Sequence, residues 1–297
     1  MSINGILNIN KPVGPTSFRI VESVRRLCGE NRVGHAGTLD PAASGVLPVC
    51  LGQAVRLTEY IHNFSKEYIA GIMLGATTDT LDAQGSLISR GYADDITEDR
   101  ALQAIKGFIG EISQVPPAYS ASKIGGKKAY RLARKGALPP LGPRRVTIYA
   151  IDVLSFKTPY LKVRVHCSTG TYIRALARDL GIVLGCGAYL QDLVRTIYGP
   201  YRLEEALSPD ELAAAVMAGN IENALYPIDH PLQSWPKQTL DERDSAHVLS
   251  GTAIYISSPS ADTGQMLRCY DSSGKFLAIL KFAVENGLWW PQKVFNL

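Results

Sequence analysis

The chain has 297 residues, 46% of them hydrophobic and 20% charged, enough for a large core and too apolar for extensive disorder. No apolar run reaches the ~18 residues of a membrane span, and MSINGILNINKP lacks the build of a signal peptide, so a cytoplasmic protein with no membrane partner is expected. The net charge of +4 is unevenly placed: residues 200–297 carry 7 Lys/Arg against 12 Asp/Glu, leaving 24 against 15 for the rest, which favours a polyanionic partner for the N-terminal part.

In chain order, NGILNINKPVGPTS comes first, followed by the glycine-rich GHAGTLDP at 34–41. That stretch is no phosphate-binding P-loop, since Thr38 and Leu39 follow Gly37 where Gly-Lys-Ser/Thr would be needed. His35, Asp40 and Ser44 form no hydrolase triad, because Ser44 lacks a GxSxG elbow. From spacing alone Asp40 reads best as the start of an Asp-Pro turn, and His35 as a packed histidine.

EYIAGIMLG at 67–75 predicts a strand, and TEDRALQAIKGFIG from Thr97 a helix. No acid occurs between Glu111 and Asp152, while Lys123, Lys127, Lys128, Arg131, Arg134, Lys135, Arg144 and Arg145 fall there with Tyr119 and Tyr130 interleaved. A loop with one short helix near 127–135 is expected, suited to phosphates. Strands follow at 146–156 and 160–167, and alternation in YLKVRVHC puts Lys162, Arg164 and His166 on one side. TYIRALARDLG predicts a helix that buries Ile173, Leu176, Ala177 and Leu180, with Arg174 and Arg178 sharing its other face. Ser208-Pro209-Asp210-Glu211 opens a capped helix through Gly219. Beyond residue 231 a short helix at DERDSAHVLSG precedes strands at TAIYIS, QMLRCY, FLAILKF and KVFNL, with hairpin turns at 271–274 and 285–287. The pattern is α+β, with a boundary near 232. Five scattered cysteines, none in a CxxC, indicate neither disulfides nor a zinc site.

Several of these stretches resemble one family. GHAGTLDPAASGVLPVCLGQA is similar to the catalytic motif of the bacterial tRNA pseudouridine-55 synthases, the TruB family. NGILNINKPVGPTS resembles its N-terminal Lys-Pro motif, KEYIAGIMLGATTDTLDAQG its second motif, QVPPAYSASKIGGKKAYRLARKG its basic RNA-contacting segment, and CSTGTYIRALARDLG its arginine motif. The matches cover most of residues 5–195 in the family's order.

The resemblance implies a pseudouridine-synthase catalytic domain over 1–231, with a central mixed or antiparallel sheet flanked by helices and a basic RNA-contacting insertion at 112–151. A small β-rich PUA-like module over 232–297 would follow. It implies isomerisation of uridine 55 in the T loop of tRNA to pseudouridine, by base flipping and aspartate-dependent cleavage and rejoining of the glycosidic bond. Asp40 would be catalytic. Arg174 would pair with it, Tyr68 would stack on the uracil, Tyr172 and Leu193 would line the pocket, and His35 would fill the space of the extruded nucleotides. Lys123, Lys127, Lys128, Arg131, Arg134, Arg144, Arg145, Lys162 and Arg164 would bind RNA, and Lys11 would be scaffolding. No metal, no cofactor and no obligatory protein partner is implied, and a monomer is expected. The alternatives are an RNA-folding chaperone of the same fold and a guide-RNA-dependent pseudouridine synthase.

Overall fold

The computed structural model describes residues 3–119, 141–256 and 262–297, together with the backbone of 123–124 and 127–128. Its strands begin with β1 (Gly5–Lys11), β2 (Val33–His35), β3 (Ala43–Leu51), β4 (Lys66–Leu74), β5 (Ala76–Thr78), β6 (Leu87–Arg90) and β7 (Gly110–Gln114). They continue with β8 (Lys123–Ile124), β9 (Lys127–Lys128), β10 (Arg144–Lys157), β11 (Tyr160–Cys167), β12 (Ala188–Tyr198) and β13 (Tyr201–Arg202). The last four are β14 (Lys237–Thr239), β15 (Met266–Tyr270), β16 (Phe276–Ala283) and β17 (Leu288–Val294). Helices α1 (Ser17–Cys28), α2 (Thr58–His62), α3 (Glu98–Lys106), α4 (Ile173–Leu184), α5 (Pro209–Met217) and α6 (Glu242–Leu249) complete the set used below. No helix among the described residues is long and apolar enough to cross a membrane.

A nine-stranded sheet runs β1-β3-β12-β4-β11-β10-β7, with β2 added to β3 and β13 to β12. The β3–β12 pair is parallel and its neighbours on the path are antiparallel, so the sheet is mixed, as the α+β reading anticipates. Alternation decides what each face does. Leu161, Val163 and Val165 of β11 join Tyr68, Ala70 and Ile72 of β4 in one core, and Ile173, Leu176, Ala177 and Leu180 of α4 cover it, which is the stripe read from the sequence. Lys162, Arg164 and His166 consequently face the other side of the sheet.

The capping box at α5 forms as expected, with the Ser208 amide donating to Glu211 Oε2 at 2.8 Å and the Glu211 amide to Ser208 Oγ at 3.2 Å. Other expectations need correction. Of the helix expected near 127–135, Lys127–Lys128 form β9, paired with β8, and the remaining residues lie outside the described ones. Among its described residues, TAIYIS contributes a single bridge, Ile254 to Trp289. The last strand is β17, five residues earlier than KVFNL, because Trp289 must face the module's own core beside Leu280 and Val248. The parallel strand β14 was not anticipated, being only KQT.

Residues 232–297 form a four-stranded sheet, β14-β15-β16-β17. It has a core of its own, but Phe276, Ile279 and Phe295 also share one with Val46, Tyr198 and Tyr201 of the large sheet. The α2 region is tied to β17 and the tail: Lys293 Nζ meets Glu59 Oε1 at 2.5 Å, Gln53 Nε2 donates to Asn296 O at 2.5 Å, and Arg56 donates to the Val294 carbonyl. Truncation after Ser234 should therefore destabilise what remains. Uncovering several buried side chains at about 1.5–3 kcal/mol each far exceeds what surface deletions cost. Calorimetry of the truncated chain checks this, and a parental melting temperature would show the C-terminal sheet to be an independent appendage.

Candidate active site

GHAGTLDP crosses from β2 to β3, and Gly37 within it and Gly45 just beyond, in β3, are required by what lies against them. At Gly37, φ is +76° and a Cβ would stand 2.7 Å from the Tyr198 ring; at Gly45, φ is +103° and a Cβ would stand 2.2 Å from the Arg195 carbonyl. Between them the Ala43 amide donates to Asp40 O at 3.0 Å, a turn with proline at its second position. The expected Asp-Pro turn is thus present in the backbone, while the Asp40 side chain is left available for another partner. Ser17 Oγ accepts from Leu39 N at 2.8 Å and bonds Leu39 O at 2.9 Å, and the Gly14 amide donates to Pro41 O at 2.8 Å, so the chain is fixed on both sides of Asp40.

The partner is Arg174. Its Nη2 lies 2.9 Å from Asp40 Oδ2 and donates to Tyr119 O at 2.8 Å; its Nη1 donates to Thr80 O at 3.1 Å and lies 3.4 Å from Asp82 Oδ2. Arg174 is in the first turn of α4, but buried rather than on an outer face shared with Arg178. Arg178 instead pairs with Asp179 at 2.7 Å. Asp82 is in turn held by Thr80 Oγ1 at 2.6 Å and the Gln84 amide at 3.1 Å. Burial pushes the Asp40 carboxyl above the usual carboxylate range; Arg174 and Lys11 pull it back down and Asp82 adds to the rise. Since the side chain is still 43% exposed, the carboxylate is reachable from outside.

A cavity of about 260 Å³ opens over Asp40. Tyr68, Tyr172, Arg174 and Leu193 line it, four of the residues singled out from the sequence. Leu193 is opposite Ala70 and Arg195 opposite Tyr68 on adjacent strands, so Tyr68 and Leu193 present a ring and an alkyl group to the same space. Tyr172 is fixed through its backbone, its amide donating to Gln114 Oε1 at 2.8 Å while Gln114 Nε2 donates to Tyr172 O at 3.2 Å. His35 is on β2, opposite Val49, and not among the residues lining the cavity.

Two cations of the wall are invisible to periodicity. Arg195, 1% exposed, donates from Nε to Val46 O at 2.7 Å and from Nη2 to Gly37 O at 3.0 Å. Lys66 donates to His62 O at 2.9 Å and Phe64 O at 2.6 Å. Tyr198 lies between them, its ring centroid 4.7 Å from the Arg195 guanidinium and 4.4 Å from Lys66 Nζ. Lys11, fully buried, caps the carbonyls of Pro12 and Pro15 at 2.8 and 2.9 Å. Burial brings Lys11 and Lys66 each down to about 8.

A folded-state pKa below the unfolded value means that the unfolded chain holds more protons between about 8 and the ordinary 10.5. Each lysine then adds a positive slope of up to about 1.4 kcal/mol per pH unit to stability in that window. The buried cysteines, raised by burial, act in the opposite sense. The difference between parent and Lys66→Met is therefore the readout: denaturant titrations from pH 8 to 10 should show the variant lacking that slope, and parallel curves would refute the shift.

The basic candidates divide. Arg144 is opposite Gln114 at the head of β10, on the face that continues into buried Val146 and Ile148; it is exposed and not among the residues lining the cavity. Arg145 faces the other way and pairs with Glu111 at 3.0 Å. Lys162 and Arg164 lie on the sheet face opposite Tyr68, where Arg164 is 3.9 Å from Glu67 and β10 places Asp152 opposite it. The side chains of Lys123, Lys127, Lys128, Arg131 and Arg134 fall outside the described residues.

Comparison with known proteins follows the same lines. Residues 25–173 match the family model "TruB family pseudouridylate synthase (N terminal domain)", and residues 174–233 match "tRNA pseudouridylate synthase B C-terminal domain". A protein of Dehalococcoides mccartyi named tRNA pseudouridine synthase B is 43% identical over 99% of this chain and 97% of its own length. One of the same name from Clostridium kluyveri is 39% identical over 93% and 95%. Among solved structures, an H/ACA RNP bound to a substrate RNA containing 2'-deoxyuridine aligns with a TM-score of 0.76 at 26% identity, over 99% of this chain and 85% of that one. A Cbf5-Nop10-Gar1 complex aligns at 0.75 and 27%, over 98% and 84%.

Proposed function

The chain belongs to the TruB family of pseudouridylate synthases, and on that premise we propose that it is a tRNA pseudouridine synthase that modifies uridine 55 of the T loop, with Asp40 as its catalytic group. The observation that carries this reading is a single reachable carboxylate, aimed by a buried arginine, at the floor of a cavity walled by Tyr68 and Leu193.

The chemistry needs little else. The N1–C1′ bond breaks, the uracil turns, C5 bonds to C1′, and the proton on C5 leaves to solvent while N1 gains one; no electrons enter or leave. Asp40 serves the cleavage either by attacking the glycosyl fragment or by removing a proton from it, and both need it ionised. Tyr68 stacks on the uracil, with Leu193 on the opposite face and Tyr172 at the rim. Because the target uridine is inside a folded loop, extrusion costs about a few kcal/mol in stacking and pairing. Phosphate contacts from the 112–151 segment, Arg144 among them, supply that energy. His35, adjoining the loop of Asp40, occupies the volume the nucleotides leave. Residues 1–231 carry the chemistry and 232–297 brace it, and the protein works in the cytoplasm as a monomer.

Release of tritium from 5-tritiated uridine in an isolated T-arm hairpin tests this. Stoichiometric release with no other macromolecule present is expected. A second reading, modification directed by a guide RNA, draws on the likeness to the Cbf5 complexes. It would require the hairpin alone to stay unmodified until guide and partners are added. A pure RNA chaperone would release no tritium under either condition.

A further inference from the structure

We propose that the outer face of α1 is a second contact for the substrate RNA, in which Arg19, Arg25, Arg26 and Arg32 hold backbone phosphates and Phe18 stacks on an unpaired base beside the catalytic loop. This rests on the functional reading above and extends it to a surface outside the cavity and outside the 112–151 segment.

The helix has two faces of opposite character. Ile20, Val21 and Val24 are buried against β1, β2 and β3, while Phe18, Arg19, Glu22, Arg25 and Arg26 are exposed. At 3.6 residues per turn these five fall within an arc of about 120°. Arg32, also exposed, follows in the turn to β2. None of the four arginines forms an ion pair among the described residues, and Glu22 is the lone carboxylate on the arc.

Location makes the charge meaningful. α1 starts at the catalytic loop itself, through the bonds of Ser17 Oγ to Leu39 at 2.8 and 2.9 Å, so Phe18, 60% exposed, and Val13, 62% exposed, stand next to Asp40's own segment. From Arg19 to Arg26 the helix rises about 10 Å, which leads a row of guanidinium groups away from the cavity.

The helix also departs from its chain's habit. α3, α5 and α6 each carry acids in the first turn, where the helix dipole favours them. α1 and α4 carry none, and have Arg19 and Arg174 there instead. These are the two helices that begin at the catalytic loop. Arg174 has its carboxylate; Arg19 works against the dipole and, with only Glu22 on its face, forms no ion pair among the described residues, so an incoming phosphate would supply the anion. A solvated helix face needs neither the aromatic group nor the cationic first turn.

The salt dependence of T-arm hairpin binding decides the matter, measured for the parent, for Arg19→Gln/Arg26→Gln/Arg32→Gln, and for a charge-matched control, Arg90→Gln/Lys106→Gln/Lys157→Gln. Each lost phosphate contact removes about 0.7 to 0.9 from the slope of log K against log salt, so the first triple variant should lose about 2 to 3, and the control none. Arg25 is left in place because its Nη2 also donates to Val33 O at 3.4 Å. Phe18→Ala should weaken binding about tenfold, with recovery in Phe18→Trp. Equal slopes for the two triple variants would overturn the phosphate contact, and an unaffected Phe18→Ala would overturn the stacking. A parent that bound the hairpin but released no tritium from it would sink the functional reading instead.

Discussion

Asp40→Asn folds, binds RNA and converts no measurable uridine. The amide has the carboxylate's shape and still accepts from Arg174, so the loop held by Ser17 and Gly14 keeps its course. What disappears is the charge that either chemical path requires, and turnover should fall at least about 10⁴-fold, the upper end of what one positioned acid–base group contributes. Binding should hold or tighten, since the substitution removes a negative charge facing a polyanion. Single-turnover tritium release and a binding titration on the same hairpin check both parts. Multiple turnover by the variant would remove Asp40 from the chemistry, and loss of binding would make it an RNA contact. In the parent, burial sets the acid limb: the carboxyl takes up its proton as pH falls through a pKa above the usual range. kcat/KM should therefore begin to fall at a higher pH than an ordinary aspartate would give.

How much of this could be read from the chain varies with the physics behind each residue. The stripe of α4 and the alternation of β11 follow from burial with a fixed period, and both stand in the structure as read. Alternation alone does not tell which side faces the cavity, and Lys162 and Arg164 lie on the face away from Tyr68. Asp40 and Arg174 are 134 positions apart and meet only because the turn after β2 and the first turn of α4 open on the same space. No local pattern encodes that meeting, and the family resemblance supplied it. Arg195 and Lys66 are hidden in the sequence for a related reason. Their cationic heads are satisfied by carbonyls and the Tyr198 ring, and such partners leave no signature in spacing.

Arg174→Ala should lose both activity and stability, and the two losses have separable causes. The guanidinium, 7% exposed, serves two carboxylates and two carbonyls at once. Its removal leaves Asp82, 10% exposed, as a buried charge without its counter-ion, a defect that costs about 3–5 kcal/mol. A drop in Tm on the order of 10 °C follows for a chain of this size. Asp40, more exposed, contributes less to that cost but loses its aim, so kcat falls with it. Arg174→Lys keeps the charge without the planar fork, and should recover much of the Tm while reaching too few partners to restore kcat. The decisive variant is Arg174→Met/Asp82→Leu, in which neither buried charge remains. If the stability loss comes from an uncompensated carboxylate, the pair of substitutions should melt above Arg174→Ala, with turnover still absent because nothing orients Asp40. A double variant no more stable than Arg174→Ala would mean that the Thr80 and Tyr119 carbonyls, not Asp82, are what Arg174 holds in place.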